Sequence, residues 1–195
     1  KDLVSQVRDE REPKISEKLK DLSGLYALRA SPIERNWGSI DAILNLGMSD
    51  ANVLKLESHI GKIAALEIYM RFIHNFSVAV FEIDPEIFEK ICPNEINGIS
   101  INDKMLSREK ALRSAIATSK NRFKQEVGNN FPQTLEEQID LAFLAMSKSW
   151  YRPSAKILRR TRGAPDDAGL GIILQNMVIG LGVEFSGSGK INTID

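Results

Sequence analysis

A glycine- and serine-rich tetrapeptide near the C-terminus, Ser186–Gly189, has the residue types best suited to binding a ligand. Glycine lets the backbone approach a ligand closely, and successive N–H groups together with serine hydroxyls can surround phosphate oxygens. On its own the tetrapeptide is a weak signal, because many hairpins use such turns. It lies between two β-prone runs, GIILQNMVIG at 171–180 and KINTID at 190–195. This position makes it a candidate phosphate-binding loop between strands.

Other ionisable or reactive residues have simpler interpretations. His74 lies among apolar residues at helical spacing, which favours a packed histidine over a ligand or phosphate acceptor. Cys92 precedes a proline and is typical of a loop thiol, whereas Asp166 and Asp167 in a P-D-D sequence indicate a turn. One cysteine and two histidines exclude an internal disulfide and a Cys/His zinc site.

The composition of the chain limits the classes of function that are expected for it. With 195 residues, 43% of them hydrophobic, the chain can bury a core. Lys+Arg and Asp+Glu both total 26, so no net field attracts nucleic acid or an anionic membrane. The basic stretch Arg108–Lys124 favours a solvated helix face over a nucleic-acid-binding surface. No apolar run is expected to approach transmembrane length and no signal peptide opens the chain, which favours the cytoplasm.

The elements that would position these residues follow from periodicity and capping signals. Strands are predicted at 25–31, 156–161, 171–180 and 190–195, and the stretch at 40–49 is predicted to be a short helix or strand ending at Gly47. Helices are predicted from Asp50 onward, at 84–91 with Asp84 as N-cap, at 108–127, and after Thr134, which with Glu137 forms a capping box. On a strand, Arg159 and Arg160 would face opposite ways, so that a solvated or salt-bridging role is favoured for them. Trp150 and Tyr151 are expected to seal the junction of helices and sheet.

The order of elements, β then helical then β, predicts an α+β fold. A sheet-containing subdomain would comprise residues 1–52 and 150–195. An all-helical subdomain, residues 53–149, would be inserted into it.

Two separated segments resemble a known domain. The first is LRASPIERNWGSIDAILNLG at 28–47, and the second begins at RFIHNF at 71–76. The second continues through FPQ, a helix ending in SW, then RP, RR, a PDD turn, a strand with LQNMV, and SGSG. This order is similar to the N-terminal, ATP-grasp-like nucleotide-binding domain of pyruvate phosphate dikinase. That family converts ATP, phosphate and pyruvate to AMP, pyrophosphate and phosphoenolpyruvate through a phosphohistidine.

The resemblance implies a set of nucleotide-binding residues. Arg29 stands at the first arginine of an arginine–serine–glycine motif that contacts the triphosphate, and Gly38 at the glycine of a loop that closes over the phosphates. A second phosphate-facing loop would contain Gly187, Ser188 and Gly189, and the strand walling the adenine pocket would contain Gln175, Met177 and Val178.

Departures from the family pattern are concentrated in the loop SPIERNWGSI at 31–40. Ile33 stands at a second arginine, which Arg35 would have to replace, and Trp37 stands where proline is usual. The family's phosphate-binding lysine has no counterpart in residues 1–24, and its magnesium carboxylates and phosphohistidine are expected beyond Asp195. The chain is therefore expected to hold no catalytic residue and no metal ligand of its own. It is also expected to bind ATP weakly in isolation.

The resemblance implies ATP with Mg²⁺ as ligand and the remaining domains of a longer enzyme as partners. A homodimer would form through domains outside this chain, and neither nucleic acid nor membrane is expected to bind. One alternative is a phosphoenolpyruvate synthase-like dikinase. Another is a diverged, non-catalytic binding or regulatory module of the same fold, which the altered loop favours. A helical nucleic-acid-binding module, based on Arg108–Lys124, is a weaker option.

Overall fold

The computed structural model describes residues 24–34, 37, 42–91 and 101–178, with the backbone alone for 101–105. The strands are β1 (Tyr26–Ser31), β2 (Ile43–Leu46) and β3 (Gly171–Asn176). The helices are α1 (Asp50–Ile60), α2 (Lys62–Phe81), α3 (Glu86–Glu89), α4 (Ile101–Val127), α5 (Leu135–Tyr151) and α6 (Pro153–Thr161).

The strands form one antiparallel sheet in the order β2-β1-β3. β1 and β3 pair in continuous register from Tyr26↔Asn176 to Ser31↔Gly171. This pairing confirms the strands predicted at 25–31 and 171–180, although β3 ends before Met177. The predicted strand at 190–195 lies outside the described residues.

The stretch at 40–49, for which the sequence allowed a helix or a strand, contains a strand, β2, that ends in an irregular turn. Its register with β1 shifts between Tyr26 and Leu28, which is a β-bulge. Asn45 has φ 62° and Gly47 has φ 100°. Positive φ is strained for most side chains and free for glycine, so Gly47 suits the end of the strand, as predicted.

The helix boundaries follow local capping chemistry. Ser49 caps α1 by accepting a hydrogen bond from Asn52 N at 3.1 Å, and Gly61, with φ 87°, separates α1 from α2. The predicted cap of α5 is confirmed, since Thr134 Oγ1 accepts from Glu137 N at 3.3 Å. Asp84 also accepts from Glu86 N, at 3.0 Å, but α3 itself begins one residue after Pro85.

The prediction of a strand at 156–161 is wrong, because this stretch belongs to helix α6. Arg152 is extended, and Pro153 occupies the first helical position, where its fixed φ and missing N–H are tolerated. On the helix Arg159 is buried and Arg160 is exposed, so the two do not alternate across a sheet.

A single hydrophobic cluster joins the inner face of the sheet to α1, α2, α4 and α5. Its centre is aromatic: Phe72, Phe76, Phe123 and Phe131 meet with ring centroids 5.1–5.7 Å apart. The fold class is therefore α+β, as predicted. The proposed division at residues 52/53 and 149/150 stays a prediction.

Helix α2 is the central helix of this cluster. It is long and apolar enough to cross a membrane by length and composition, so the expectation that no such run occurs was too strict. In the fold, however, 44% of its apolar window is buried, and it packs against α1, α4 and α5. Its hydropathy is that of a helix with its apolar side in a protein core.

Candidate functional site

Of the residues implicated in nucleotide binding, Arg29, Gln175, Met177 and Val178 lie in the described part of the structure. Gly38, Gly187, Ser188 and Gly189 lie outside it. The structure can therefore place the sheet residues of the predicted site but neither of its two glycine loops.

Arg29 and Gln175 lie on the same exposed face of the sheet. Arg29 pairs with Ile173, and Gln175 pairs with Ala27. Because side chains alternate along a strand, these positions share the outer face, whereas Leu28 and Leu174 point into the core. Arg29 and Gln175 are diagonal neighbours, about 7–8 Å apart at their Cα atoms. The structure thus brings a guanidinium and an amide together.

The Arg29 side chain is exposed, and no acidic side chain or hydrogen-bond acceptor contacts it within the described residues. Most arginines on α4 are different, since their guanidinium groups pair with carboxylates. A guanidinium presents a planar fork of donors that matches phosphate oxygens. Arg29 is therefore free to bind an anion without first breaking an ion pair.

Met177 and Val178 follow the end of β3 and have different environments. The backbone N–H of Met177 donates to Leu25 O at 2.7 Å, and its sulfur accepts from Asn45 N at 3.2 Å. Met177 is half-buried, whereas Val178 is 94% exposed. Since Leu25 is four residues from Arg29 on an extended chain, Met177 and Arg29 lie about 13 Å apart along the sheet.

A second, small cluster lies at the opposite end of β1 and β3. It contains Trp37, Trp150 and Ala164, with Ala168 and Leu170 packed against it. Trp150 Nε1 donates to Ala168 O at 3.1 Å. Trp150 therefore seals this junction as expected, but its neighbour Tyr151 is exposed. The only sequence signal for the role of Trp37 was that it stands where the resembled family has proline.

Three grooves in the described part of the chain include none of the predicted site residues. The groove of about 510 Å³ between the C-terminal ends of α2 and α5 is crossed by the ion pair of Arg152 with Glu82. Of the other two, one borders the loop between α4 and α5, and the other lies where α1, α2 and α4 meet. These three grooves therefore do not overlap with the predicted nucleotide-binding residues.

His74 is a packed histidine, as the sequence indicated. Its Nε2 lies 2.7 Å from Ser119 Oγ, and its ring stacks on Phe88 with centroids 4.7 Å apart. Burial lowers the pKa of His74 to about 4. The ring is therefore neutral at physiological pH and contributes to packing.

The basic helix α4 uses its charges within the fold. Arg108 pairs with Glu67, Arg113 with Glu57 and Glu109, and Lys120 with Asp50. The carboxylates in these contacts neutralise three basic residues of the helix, which disfavours a nucleic-acid-binding surface. Within the described residues, no group of three or more His, Cys, Asp or Glu side chains is placed to hold a metal ion.

Gln138 is a buried residue that the sequence analysis missed. Its amide accepts from Gly47 N at 2.7 Å and donates to Met48 O at 2.9 Å and Pro132 O at 3.0 Å. It thereby connects the turn after β2 to α5 with its polar atoms satisfied. A glutamine on an amphipathic helix gives no sequence signal of this role.

Comparison with known proteins identifies relatives along most of the chain. No family model matches it. It is 33% identical to pyruvate, phosphate dikinase of Clostridium symbiosum over 156 residues, which are 78% of this chain and 18% of that enzyme. Identity to the Rhizobium meliloti enzyme is 30% over 73% of the chain. Identity to the chloroplastic enzyme of Flaveria trinervia is 28% over 98% of the chain and 20% of that enzyme.

These relatives bear one name, and the chain spans about a fifth of their length. The match covers most of the chain. It therefore includes both the β1–β2 region and the helical block, which comprises α1 to α5. Over most of its length, the chain is therefore a homologue of a segment of pyruvate, phosphate dikinase.

Proposed function

We propose that the chain binds ATP on the outer face of its sheet, as the nucleotide-binding part of a phosphotransferase resembling pyruvate phosphate dikinase. The observation that carries this proposal is the exposed guanidinium of Arg29, which has no partner among the described residues and lies on the same sheet face as Gln175. It occurs in a chain 33% identical to an enzyme of that name. The sheet-containing part would then be ATP-grasp-like.

The two ends of the sheet would suit the two ends of the nucleotide. Arg29 would bind phosphate oxygens, because an arginine forms charge-assisted and often bidentate hydrogen bonds with them. Half-buried Met177, about 13 Å along the sheet, packs against the core cluster, and the exposed part of its flexible side chain would contact the adenine. The glycine-containing loops at 38 and 187–189 would complete the phosphate end.

The contribution of this chain is binding and orientation. The carboxylates that hold the Mg²⁺ accompanying ATP would come from elsewhere in a longer enzyme. The phosphohistidine and the acceptor site would belong to its remaining domains, together with any homodimer contact. A cytoplasmic location and the absence of nucleic-acid and membrane partners are parts of the same proposal.

ATP titration by calorimetry tests the proposal with Arg29→Ala and a matched control, Arg71→Ala. Arg71 is also exposed, but it lies on α2 and pairs with Glu67. A hydrogen bond to a charged group contributes about 1.5–3 kcal/mol, so Arg29→Ala should weaken binding by about tenfold or more. Arg71→Ala should bind as the unchanged chain does. Equal losses in both variants, or none, would contradict the proposal.

A non-catalytic binding or regulatory module is the second candidate. The observation that favours it is Trp37, which stands where the resembled family has proline and is buried against Trp150 and Ala164. A loop held by such a contact has less freedom to close over phosphates. Phosphoryl transfer in the full-length protein would exclude this candidate, whereas ATP binding without turnover would support it.

A further inference from the structure

The arginines between residues 152 and 162 differ in whether they have an interaction partner within the described residues. Arg152 pairs with Glu82, Arg160 with Asp166, and Arg162 also has an interaction partner. Arg159 has no such partner within the described residues, although it is only 6% exposed. Arg159 is therefore a buried cation whose charge is not neutralised by an acid in that part of the chain.

The Arg159 guanidinium lies over an aromatic ring. Its Cζ is 3.8 Å from the centroid of the Trp150 ring. Such a cation–π contact contributes about 0.5–2 kcal/mol, less than the cost of burying an unpaired charge. A cation–π contact does not itself satisfy the N–H donors of the guanidinium. They lie in one plane, which suits the oxygens of a phosphate.

A small part of the Arg159 side chain reaches the surface. The residue keeps 6% of its surface exposed, so part of it is in contact with water. An anion could displace that water without reorganisation of the stack.

Arg159 also lies at the same end of the sheet as the proposed phosphate site. The ring it stacks on belongs to the small cluster of Trp37, Trp150 and Ala164, which Leu170 also contacts. Leu170 precedes Gly171, and Gly171 pairs with Ser31, two residues beyond Arg29. β1 in turn leads into the loop that carries Trp37. The segment after β1 and the segment before β3 therefore both contribute residues to this cluster.

We propose that Arg159 is a second anion-binding residue, which contacts a phosphate of the nucleotide at the end of the sheet nearest Arg29 and Trp37. This inference rests on the proposed nucleotide site and extends it to α6. The stack on Trp150 holds the guanidinium in place before the ligand arrives, so little side-chain entropy remains to be lost on binding. The ligand class is a di- or triphosphate, with inorganic pyrophosphate as its simplest form.

The test is a titration of the chain with inorganic pyrophosphate, followed by tryptophan fluorescence. The two tryptophans, Trp37 and Trp150, both lie in the cluster, so the signal reports on this region. Arg159→Gln removes the charge, and Arg160→Gln is the matched control, since it removes one charge from the next residue on the exposed face. Circular dichroism melts establish that each variant is folded.

The unchanged chain and Arg160→Gln should show the same saturable fluorescence change. Arg159→Gln should bind at least about tenfold more weakly. If Arg159→Gln does not fold, Arg159→Lys decides, because lysine keeps the charge and loses the planar fork. Weaker pyrophosphate binding by Arg159→Lys supports the inference, and binding equal to that of the unchanged chain overturns it.

ATP titrations separate this inference from the proposed function. If ATP binds in an Arg29-dependent manner while Arg159→Gln binds pyrophosphate normally, the role of Arg159 is wrong and the proposed function stands. If neither ATP nor pyrophosphate gives a saturable signal with the folded, unchanged chain, both fail.

Discussion

The helical block and the outer face of the sheet differ in whether their polar side chains have partners within the described fold. In the block, phenylalanines interlock, Gln138 makes three hydrogen bonds, and the basic residues Arg108, Arg113 and Lys120 of α4 pair with acids of α1, α2 and α4. On the outer sheet face, Arg29 and Gln175 have no such side-chain partners in the part of the chain that the structure describes, and Leu44 and Ile173 are 41% and 50% exposed.

This difference separates stability from recognition. Removing a group that is already hydrogen-bonded or paired within the fold lowers the free energy of unfolding. Such a group has few donors or acceptors left for a ligand. Groups left unsatisfied at a surface contribute little to folding and can bind. Variants of the helical block should therefore change the free energy of unfolding, whereas variants of the outer face should change ligand binding.

The largest loss of stability is expected for Gln138→Leu. The substitution leaves Gly47 N, Met48 O and Pro132 O without partners in a buried site. Each orphaned buried group costs about 1–3 kcal/mol, so the free energy of unfolding should fall by about 3 kcal/mol or more. Urea unfolding measures it. Gln125→Leu, which removes only an exposed contact with Arg122, should change little, and a similar loss in both would contradict this reading of Gln138.

His74 should make stability depend on pH. Burial lowers its pKa from 6.5 to about 4, so the unfolded chain takes up the proton first as the pH falls. The contribution of the neutral ring is complete above pH 6.5 and is lost between pH 6.5 and about 4, by at most about 3 kcal/mol. Urea unfolding across this range should show a steeper decline for the unchanged chain than for His74→Gln. Parallel curves would show that another group is responsible.

Much of the helical block could be predicted from the sequence, because its signals are local. The Thr134 cap and the packed histidine depend on residues three or four apart or on one apolar face. The strand prediction at 156–161 is wrong because six residues are too few for periodicity to separate a strand from a helix, and Pro153 favours a helix that begins there. Gln138 and the stack of Arg159 on Trp150 join distant elements and leave no periodic signal.

A smaller effect is expected at the edge of the candidate site, for Gly171→Ala. A Cβ at Gly171 would lie 2.8 Å from Ser31 O, a backbone atom that can move only with β1. Such overpacking costs about 1–3 kcal/mol. Thermal unfolding should show a lower midpoint than for Gly169→Ala, whose Cβ meets nothing within 4 Å. Equal midpoints would mean that the β1–β3 pairing accommodates the methyl group without strain.

The smallest effect on stability, and the most direct test of the central claim, is expected for Arg29→Ala. Amide NMR spectra during an ATP titration would locate the binding site and measure its affinity together. The account predicts weak binding with shifts concentrated in β1, β3 and Met177, and loss of these shifts in Arg29→Ala with an unfolding free energy within about 0.5 kcal/mol of the unchanged chain. Shifts confined to the helical block, or shifts on the sheet that persist in Arg29→Ala, would contradict it.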